Sequence, residues 1–92
     1  MYEVFRKNPQ KYIKGVNILS YKVRSNAVPD FFLDVNGVFS VAEFKIDTFR
    51  KRHLFQLCEY MDIYSAEHGY AVAPKLNCVL PEKVTYVKMS NF

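Results

Sequence analysis

The stretch of sequence that decides the fold is Val28–Ile46, which reads VPDFFLDVNGVFSVAEFKI. Two runs rich in β-branched and aromatic residues flank Asn36-Gly37. Asn-Gly is the strongest short signal for a β-hairpin, because a type I′ turn needs φ > 0 at both central residues. The sequence therefore predicts a hairpin over 28–46, with Val35 opposite Val38.

Two acidic residues fall opposite each other in this hairpin. Counting outward from the turn places Asp30 across from Glu43, with Cβ atoms about 5 Å apart on one face of the sheet. Like charges in that position repel, so the pair indicates a cation held between them. Lys45 lies two residues beyond Glu43 and points to the same face. Asp34 also shares that face but lies beyond Phe32, and we interpret it as a surface residue. Asp, Glu and Lys on one spot suggest a metal-dependent hydrolase.

The composition indicates one small folded domain spanning residues 1–92. The chain is 50% hydrophobic and contains seven tyrosines and eight phenylalanines, which excludes a disordered composition. The net charge of +4 suits a polyanionic partner without requiring one. The absence of a signal peptide and of a long apolar run predicts a cytoplasmic protein with no membrane partner. Cys58 and Cys78 lack zinc or disulfide spacing and are interpreted as small buried residues.

The segments around the hairpin predict an α/β protein. Asn8-Pro9 and Gly15 indicate a helix at about 9–14, or a helix that begins near Tyr2 and is kinked at Pro9. Alternation predicts a strand over 17–24, followed by a turn at Ser25-Asn26.

After the hairpin, Asp47-Thr48 caps a predicted helix that runs to Glu67 or His68, with Gly69 as its stop. His68 is then a residue of the helix C-terminus. A strand over 70–73, a loop over 74–81 and a strand over 83–89 complete the chain. The expected architecture is a mixed sheet with helices packed on it.

These pieces resemble the PD-(D/E)xK nuclease superfamily. The resemblance lies in Pro29-Asp30 and Glu43-Phe44-Lys45 on a hairpin that is followed by a helix, and the restriction-endonuclease-like αβββαβ core matches the predicted order over nearly the whole chain. Gln56 to Tyr60 fits the Q-x-x-x-Y motif of RecB- and Cas4-like members. The helix glutamine with a following glycine and strand is also similar to compact virus-type replication-repair nucleases and archaeal Holliday junction resolvases, so the subfamily stays open.

The resemblance implies a set of site residues. Asp30, Glu43 and the backbone carbonyl of Phe44 would hold Mg²⁺ or Mn²⁺, with Glu3 as a candidate acid from an N-terminal helix. Lys45 would hold or deprotonate the attacking water, and the sequence leaves its charge state open. In the alternative interpretation, Asp30 simply begins a strand, and Glu43 with Lys45 forms a solvated face.

The predicted helix carries further candidates. Gln56 and Tyr60 lie four residues apart on one side, with Arg52 one turn earlier. We interpret Gln56 as a catalytic residue and Tyr60 as a DNA-facing one, the alternative being a polar helix flank with Tyr60 partly in the core. His53 is interpreted as a surface or phosphate-contacting residue.

A basic run follows the hairpin. Arg50-Lys51-Arg52 at a helix start opposes the helix dipole, so contact with nucleic-acid phosphates explains it better than local stability does. Lys22 and Arg24 would widen that patch, and a solvated basic run is the alternative.

Together these features predict a Mg²⁺-dependent endonuclease that cuts DNA, with structured or branched DNA of replication, repair or recombination as its substrate. A homodimer is expected, because a compact nuclease gains substrate surface by pairing and the aromatic excess suits an interface. The alternatives are a non-catalytic nucleic-acid-binding module and an accessory subunit of a larger nuclease complex.

Overall fold

A five-stranded sheet forms the centre of the structure, a computed structural model that describes residues 1–23 and 26–90. The elements, in chain order, are α1 Tyr2–Lys7, a 3₁₀ turn Pro9–Lys11, β1 Val16–Leu19, β2 Phe31–Val35, β3 Val38–Phe44, β4 Thr48–Arg50, α2 Lys51–Tyr64, β5 His68–Ala73, β6 Lys75–Asn77 and β7 Val84–Lys88.

The sheet is mixed, as predicted. Its strand order is β1-β2-β3-β5-β7, and the pairs β1–β2 and β2–β3 are antiparallel. The pairs β3–β5 and β5–β7 are parallel, and α2 provides the crossover between β3 and β5. Strands β4 and β6 form a separate parallel pair beside the main sheet. The predicted α/β class with helices flanking a mixed sheet is confirmed.

The hairpin has the predicted register. Asn36 and Gly37 have φ angles of 52° and 86°, as a type I′ turn requires, and Val35 pairs with Val38. Asp30 lies one residue before β2. Its backbone N–H donates to the carbonyl of Ala42 at 3.1 Å, so the pairing continues past the end of the strand.

Each face of the sheet packs against one helix. α2 turns a stripe of side chains at helical spacing onto one face, namely Leu54, Leu57, Tyr60, Met61 and Tyr64. The other face packs against Phe5 of α1 and Ile13, which are both buried. Within residues 1–23 and 26–90, no helix is long and apolar enough to cross a membrane.

The N-terminal third departs from the prediction. The helix predicted at 9–14 is wrong, because a single 3₁₀ turn, Pro9–Lys11, follows Asn8. The alternative start near Tyr2 is confirmed by α1, Tyr2–Lys7, but this helix ends before Pro9 instead of kinking there. Burial of Phe5 holds the earlier helix in place. The strand predicted over 17–24 is too long, since β1 ends at Leu19 and residues 20–23 are not in a strand. Arg24 and Ser25 lie outside the described residues.

The predicted bounds of the second helix are also wrong. α2 begins at Lys51 because Thr48–Arg50 is extended and pairs with β6, which buries Phe49 completely. The helix ends at Tyr64, where Ser65 takes the left-handed conformation with φ 55°.

Gly69 and His68 belong to β5 rather than to the end of the helix. A Cβ on Gly69 would lie 2.8 Å from Met61 Sδ, so the glycine lets β5 approach α2 closely. His68 Nε2 lies 2.7 Å from the hydroxyl of Thr85. The loop predicted over 74–81 contains β6, Lys75–Asn77.

Candidate functional site

Asp30, Glu43 and Lys45 meet where β3 ends. The Nζ atom of Lys45 lies 3.7 Å from Glu43 Oε2. The backbone N–H of Phe44 donates to Asp30 Oδ2 at 2.7 Å, which draws the Asp30 carboxylate across the end of the strand. The hairpin register thus brings together the three side chains that the sequence pairs by counting.

Glu43 is buried, and its environment disfavours its charge. Among residues 1–23 and 26–90, its Oε1 is the buried side-chain atom that has no hydrogen-bond partner. Burial, and next the negative charge of Asp30, raise the pKa of Glu43 to about 8, while the Lys45 ammonium opposes the shift. A carboxyl in this position needs either a proton or an added cation.

Lys45 lies between the buried Glu43 and solvent. Its backbone N–H donates to the carbonyl of Val72 in β5 at 2.9 Å, so the pairing with β5 continues just beyond β3. Its side chain is 30% exposed. The ammonium can therefore contact both Glu43 and a bound substrate.

Tyr2 is a member of this group that the sequence reasoning missed. Its hydroxyl donates to Asp30 Oδ1 at 2.5 Å, and its ring packs edge-on against Phe31 and Phe44 with centroids 5.6 Å apart. Burial, and then the hydrogen bond to Asp30 and its charge, raise the pKa of Tyr2, so the phenol stays protonated as a donor. The available signal was the aromatic pair Tyr2 and Phe5 at i, i+3 spacing, which marks the inner face of a helix.

Glu3 does not join the group. Its side chain is 81% exposed, and its carboxylate lies 3.7 Å from the guanidinium of Arg6 on the same helix. The N-terminal helix thus supplies a phenol to the site, where the resemblance suggested a carboxylate.

α2 brings Tyr60 close to the two carboxylates. Burial, followed by the charges of Glu43 and Asp30, raises the pKa of Tyr60. The Tyr60 ring is buried in the core, which favours the alternative of a helix flank packed in the core over a DNA contact. Gln56 and Arg52 are exposed on the preceding turns.

The predicted nucleic-acid-binding residues lie at different places on the surface. Arg50 and Arg52 line one open pocket together with Lys45 and His53. Lys51 lines a different one, and its Nζ lies 5.7 Å above the ring of Phe55. Lys22 is exposed outside the strands, and Arg24 lies outside the described residues.

The donor set at the end of β3 is small and made of oxygen atoms. In the described part of the chain, no three His, Cys, Asp or Glu side chains gather into a metal-binding group. Asp30 and Glu43 therefore offer two carboxylates, which is the number that Mg²⁺ commonly takes from a protein when waters and phosphate oxygens fill its other positions. The unpartnered Glu43 Oε1 fits such a cation.

Comparisons with known proteins bear on the fold. The sequence gives no match to protein-family profiles and none to curated protein sequences. Among solved structures, the chain is similar to a complex of EndoMS with double-stranded DNA, with a TM-score of 0.84 and 24% identity over 98% of this chain. It is also similar to EndoMS in its apo form, with a TM-score of 0.75 and 22% identity over 97% of this chain. The chain spans 43% of the length of each EndoMS chain, and these likenesses show that it shares the fold of that part.

Proposed function

We propose that this chain is a divalent-metal-dependent endonuclease that hydrolyses phosphodiester bonds in DNA, and that it is a member of the PD-(D/E)xK superfamily. The observation that carries the proposal is the buried Glu43, which has an unpartnered oxygen and a raised pKa beside Asp30 and Lys45. A buried carboxyl whose pKa is raised beside a second carboxylate and a lysine is typical of a catalytic site.

The likeness to EndoMS supports DNA as the substrate. One of the similar structures is a complex with double-stranded DNA, and it matches almost the whole of this chain. The net charge of +4 and the exposed Arg50 and Arg52 suit a polyanion. Structured or branched DNA of replication, repair or recombination is the substrate that we propose, and a homodimer is the assembly, to be checked by light scattering.

The chain's own residues divide the chemistry between them. Asp30, Glu43 and the carbonyl of Phe44 would hold Mg²⁺ or Mn²⁺, which when bound supplies positive charge to the scissile phosphate and the leaving oxygen. Hydrogen bonds from Tyr2 and Phe44 orient the Asp30 carboxylate. The Lys45 ammonium positions the attacking water and stabilises negative charge on the phosphate. Gln56, exposed one turn before Tyr60, completes the group on the substrate side.

The test is cleavage of labelled linear duplex, single-stranded, flapped and four-way-junction DNA with Mg²⁺, Mn²⁺ or chelator. We expect cutting that needs metal and that is lost in Glu43→Gln, which keeps the shape of the side chain and removes its charge. Glu82→Gln, an exposed residue outside the site, is the matched control and should cut normally.

Two outcomes would contradict the proposal. Cutting that persists in chelator or in Glu43→Gln would show that the acidic pair is not the catalytic site. A folded protein that binds DNA and cuts none of the four substrates would favour a non-catalytic binding module or a subunit that needs a partner.

A further inference from the structure

An open pocket of about 360 Å³ lies beside Lys45, between the end of β3 and the first turn of α2. Its polar lining consists of Lys45, Asp47, Thr48, Arg50, Arg52 and His53. Three of these side chains are cations and one is a carboxylate, so the pocket has a positive excess. Because Lys45 both lines this pocket and lies 3.7 Å from Glu43, the pocket adjoins the proposed catalytic centre.

His53 contributes a neutral hydrogen-bond donor to the pocket. The backbone N–H of Arg50 donates to its Nδ1 atom at 3.0 Å, so the neutral ring carries its proton on Nε2. Burial, and then the cations Lys45, Arg52 and Arg50, lower the pKa of His53, which keeps the ring neutral near pH 7. The contact also fixes the ring at the start of α2, where its edge meets Phe49 with centroids 5.7 Å apart.

Two arginines and an N–H donor are the groups that bind a phosphate well. Guanidinium groups form paired, charge-assisted hydrogen bonds with phosphate oxygens, and the positive end of α2 adds to the attraction. Lys51 does not take part, because it lines a separate pocket with Leu54 and Val79.

We propose that this pocket binds the phosphodiester group next to the one that is cut, with Arg50, Arg52 and the Nε2–H of His53 as its donors. The statement that this phosphate neighbours the scissile one rests on the proposed function; the pocket itself would bind a nucleic-acid phosphate whether or not the chain cuts. The pocket then fixes the register of the strand, and Lys45 lies between the two phosphates.

The two histidines of the chain allow a test that needs no catalysis. A thymidine trinucleotide is titrated into the protein while the imidazole resonances are followed by NMR, with sodium chloride of equal ionic strength as the blank. We expect the His53 signal to move and the His68 signal, which belongs to β5, to stay. Arg52→Ala should weaken this binding about tenfold, as expected for the loss of a charged hydrogen bond. Lys51→Ala, which removes an equal charge one residue away, should leave the His53 response in place.

A second measurement separates this inference from the proposed function. Cleavage is mapped on duplexes in which a single phosphate is replaced by an uncharged methylphosphonate. We expect cutting to fall when the phosphate next to the cut is neutral, and Arg52→Ala to remove that sensitivity. A shift of the His53 signal without any cleavage would contradict the proposed nuclease activity and support the phosphate pocket. An unmoved His53 signal, or equal effects of Arg52→Ala and Lys51→Ala on it, would overturn the pocket even if the protein cuts.

Discussion

The two oxygens of the Asp30 carboxylate each accept one hydrogen bond, from the Tyr2 hydroxyl and from the Phe44 N–H. Groups that hold a metal ligand in this way set its orientation, and their loss typically weakens metal binding by roughly 10–100-fold. The Tyr2 ring is also packed against Phe31 and Phe44, so its hydroxyl can be removed without disturbing that packing.

We therefore expect Tyr2→Phe to lower the affinity for Mg²⁺ about tenfold, while the thermal midpoint of the metal-free protein stays nearly constant. Isothermal calorimetry and a melting curve measure the two quantities. Tyr12→Phe, which alters another tyrosine near α1, is the control and should bind metal normally. An unchanged affinity in Tyr2→Phe would mean that the hydroxyl does not orient the carboxylate for metal binding.

In the proposed mechanism Lys45 assists the attack while the carboxylates hold the metal, so the loss of Lys45 should separate catalysis from metal binding. Lys45→Met keeps the length of the apolar stem and removes the ammonium. We expect cleavage to fall by about 100-fold or more, as is usual for the loss of a group that stabilises negative charge in the transition state, while Mg²⁺ still binds. Single-turnover cleavage and calorimetry test this prediction, and Lys83→Met, an exposed lysine, is the control. Loss of metal binding together with unfolding would make Lys45 structural.

At the scale of the elements, the contact of β5 with α2 depends on Gly69. An added Cβ would lie 2.8 Å from Met61 Sδ and 3.3 Å from Leu57. The Met61 side chain is flexible and can move aside in part, so we expect Gly69→Ala to cost about 1 kcal/mol of the free energy of unfolding. Denaturant titration measures this cost. The double variant Gly69→Ala with Met61→Ala should lose less free energy of unfolding than the sum of the losses in the two single variants. Strict additivity would contradict the contact.

The hairpin and the acidic pair could be predicted from the sequence because their signals are local. Asn36-Gly37 fixes the turn, and the two-residue period of the strands then places Glu43 across from Asp30. The start of α2 could not be read in the same way. Asp47-Thr48 is a good helix cap by itself, but the next residues pair with β6, which lies far along the chain. Tertiary pairing overrides the local preference there.

The role of Tyr2 at the site could not be predicted from the sequence for a related reason. The hydrogen bond from Tyr2 to Asp30 joins residues 28 positions apart in the sequence, and no local pattern records it. The resemblance implies an acid in the N-terminal helix, for which Glu3 is the candidate. In the structure Phe5 is buried against the sheet and the ring of Tyr2 packs on Phe31 beside it, whereas Glu3 pairs with Arg6 at the surface.

At the scale of the whole molecule, Glu43 couples stability to pH. Its folded-state pKa, about 8, lies above the ordinary value of 4.5, so the folded protein binds more protons than the unfolded chain between those values. The contribution of Glu43 to stability is therefore fully present below about pH 4.5 and is lost as the pH rises through 8. The lowered pKa of His53 makes that residue reduce the stability of the fold as the pH falls. The effect of Glu43 is therefore isolated by comparing wild type with Glu43→Gln.

We expect the thermal midpoint of the metal-free wild type to fall relative to Glu43→Gln as the pH is raised from 5 to 8. Added Mg²⁺ should restore it at pH 8 and do little at pH 5, because metal and proton compete for the same carboxylates. Differential scanning fluorimetry across this range checks both trends. A midpoint difference that does not depend on pH would contradict the assignment of the raised pKa to Glu43.

The two-residue turn at Asn36-Gly37 also has a consequence for the order of folding. Hairpins close within roughly 1–10 μs, whereas parallel pairing of β3 with β5 has to wait for a crossover through α2. We therefore expect Asp30 and Glu43 to approach each other early, before the parallel strands have joined the sheet, and their repulsion to oppose this first step. We expect Mg²⁺ in the refolding buffer to speed folding itself, and stopped-flow refolding of wild type against Glu43→Gln would reveal it. Mg²⁺ would then assist the folding of the chain as well as its proposed catalysis.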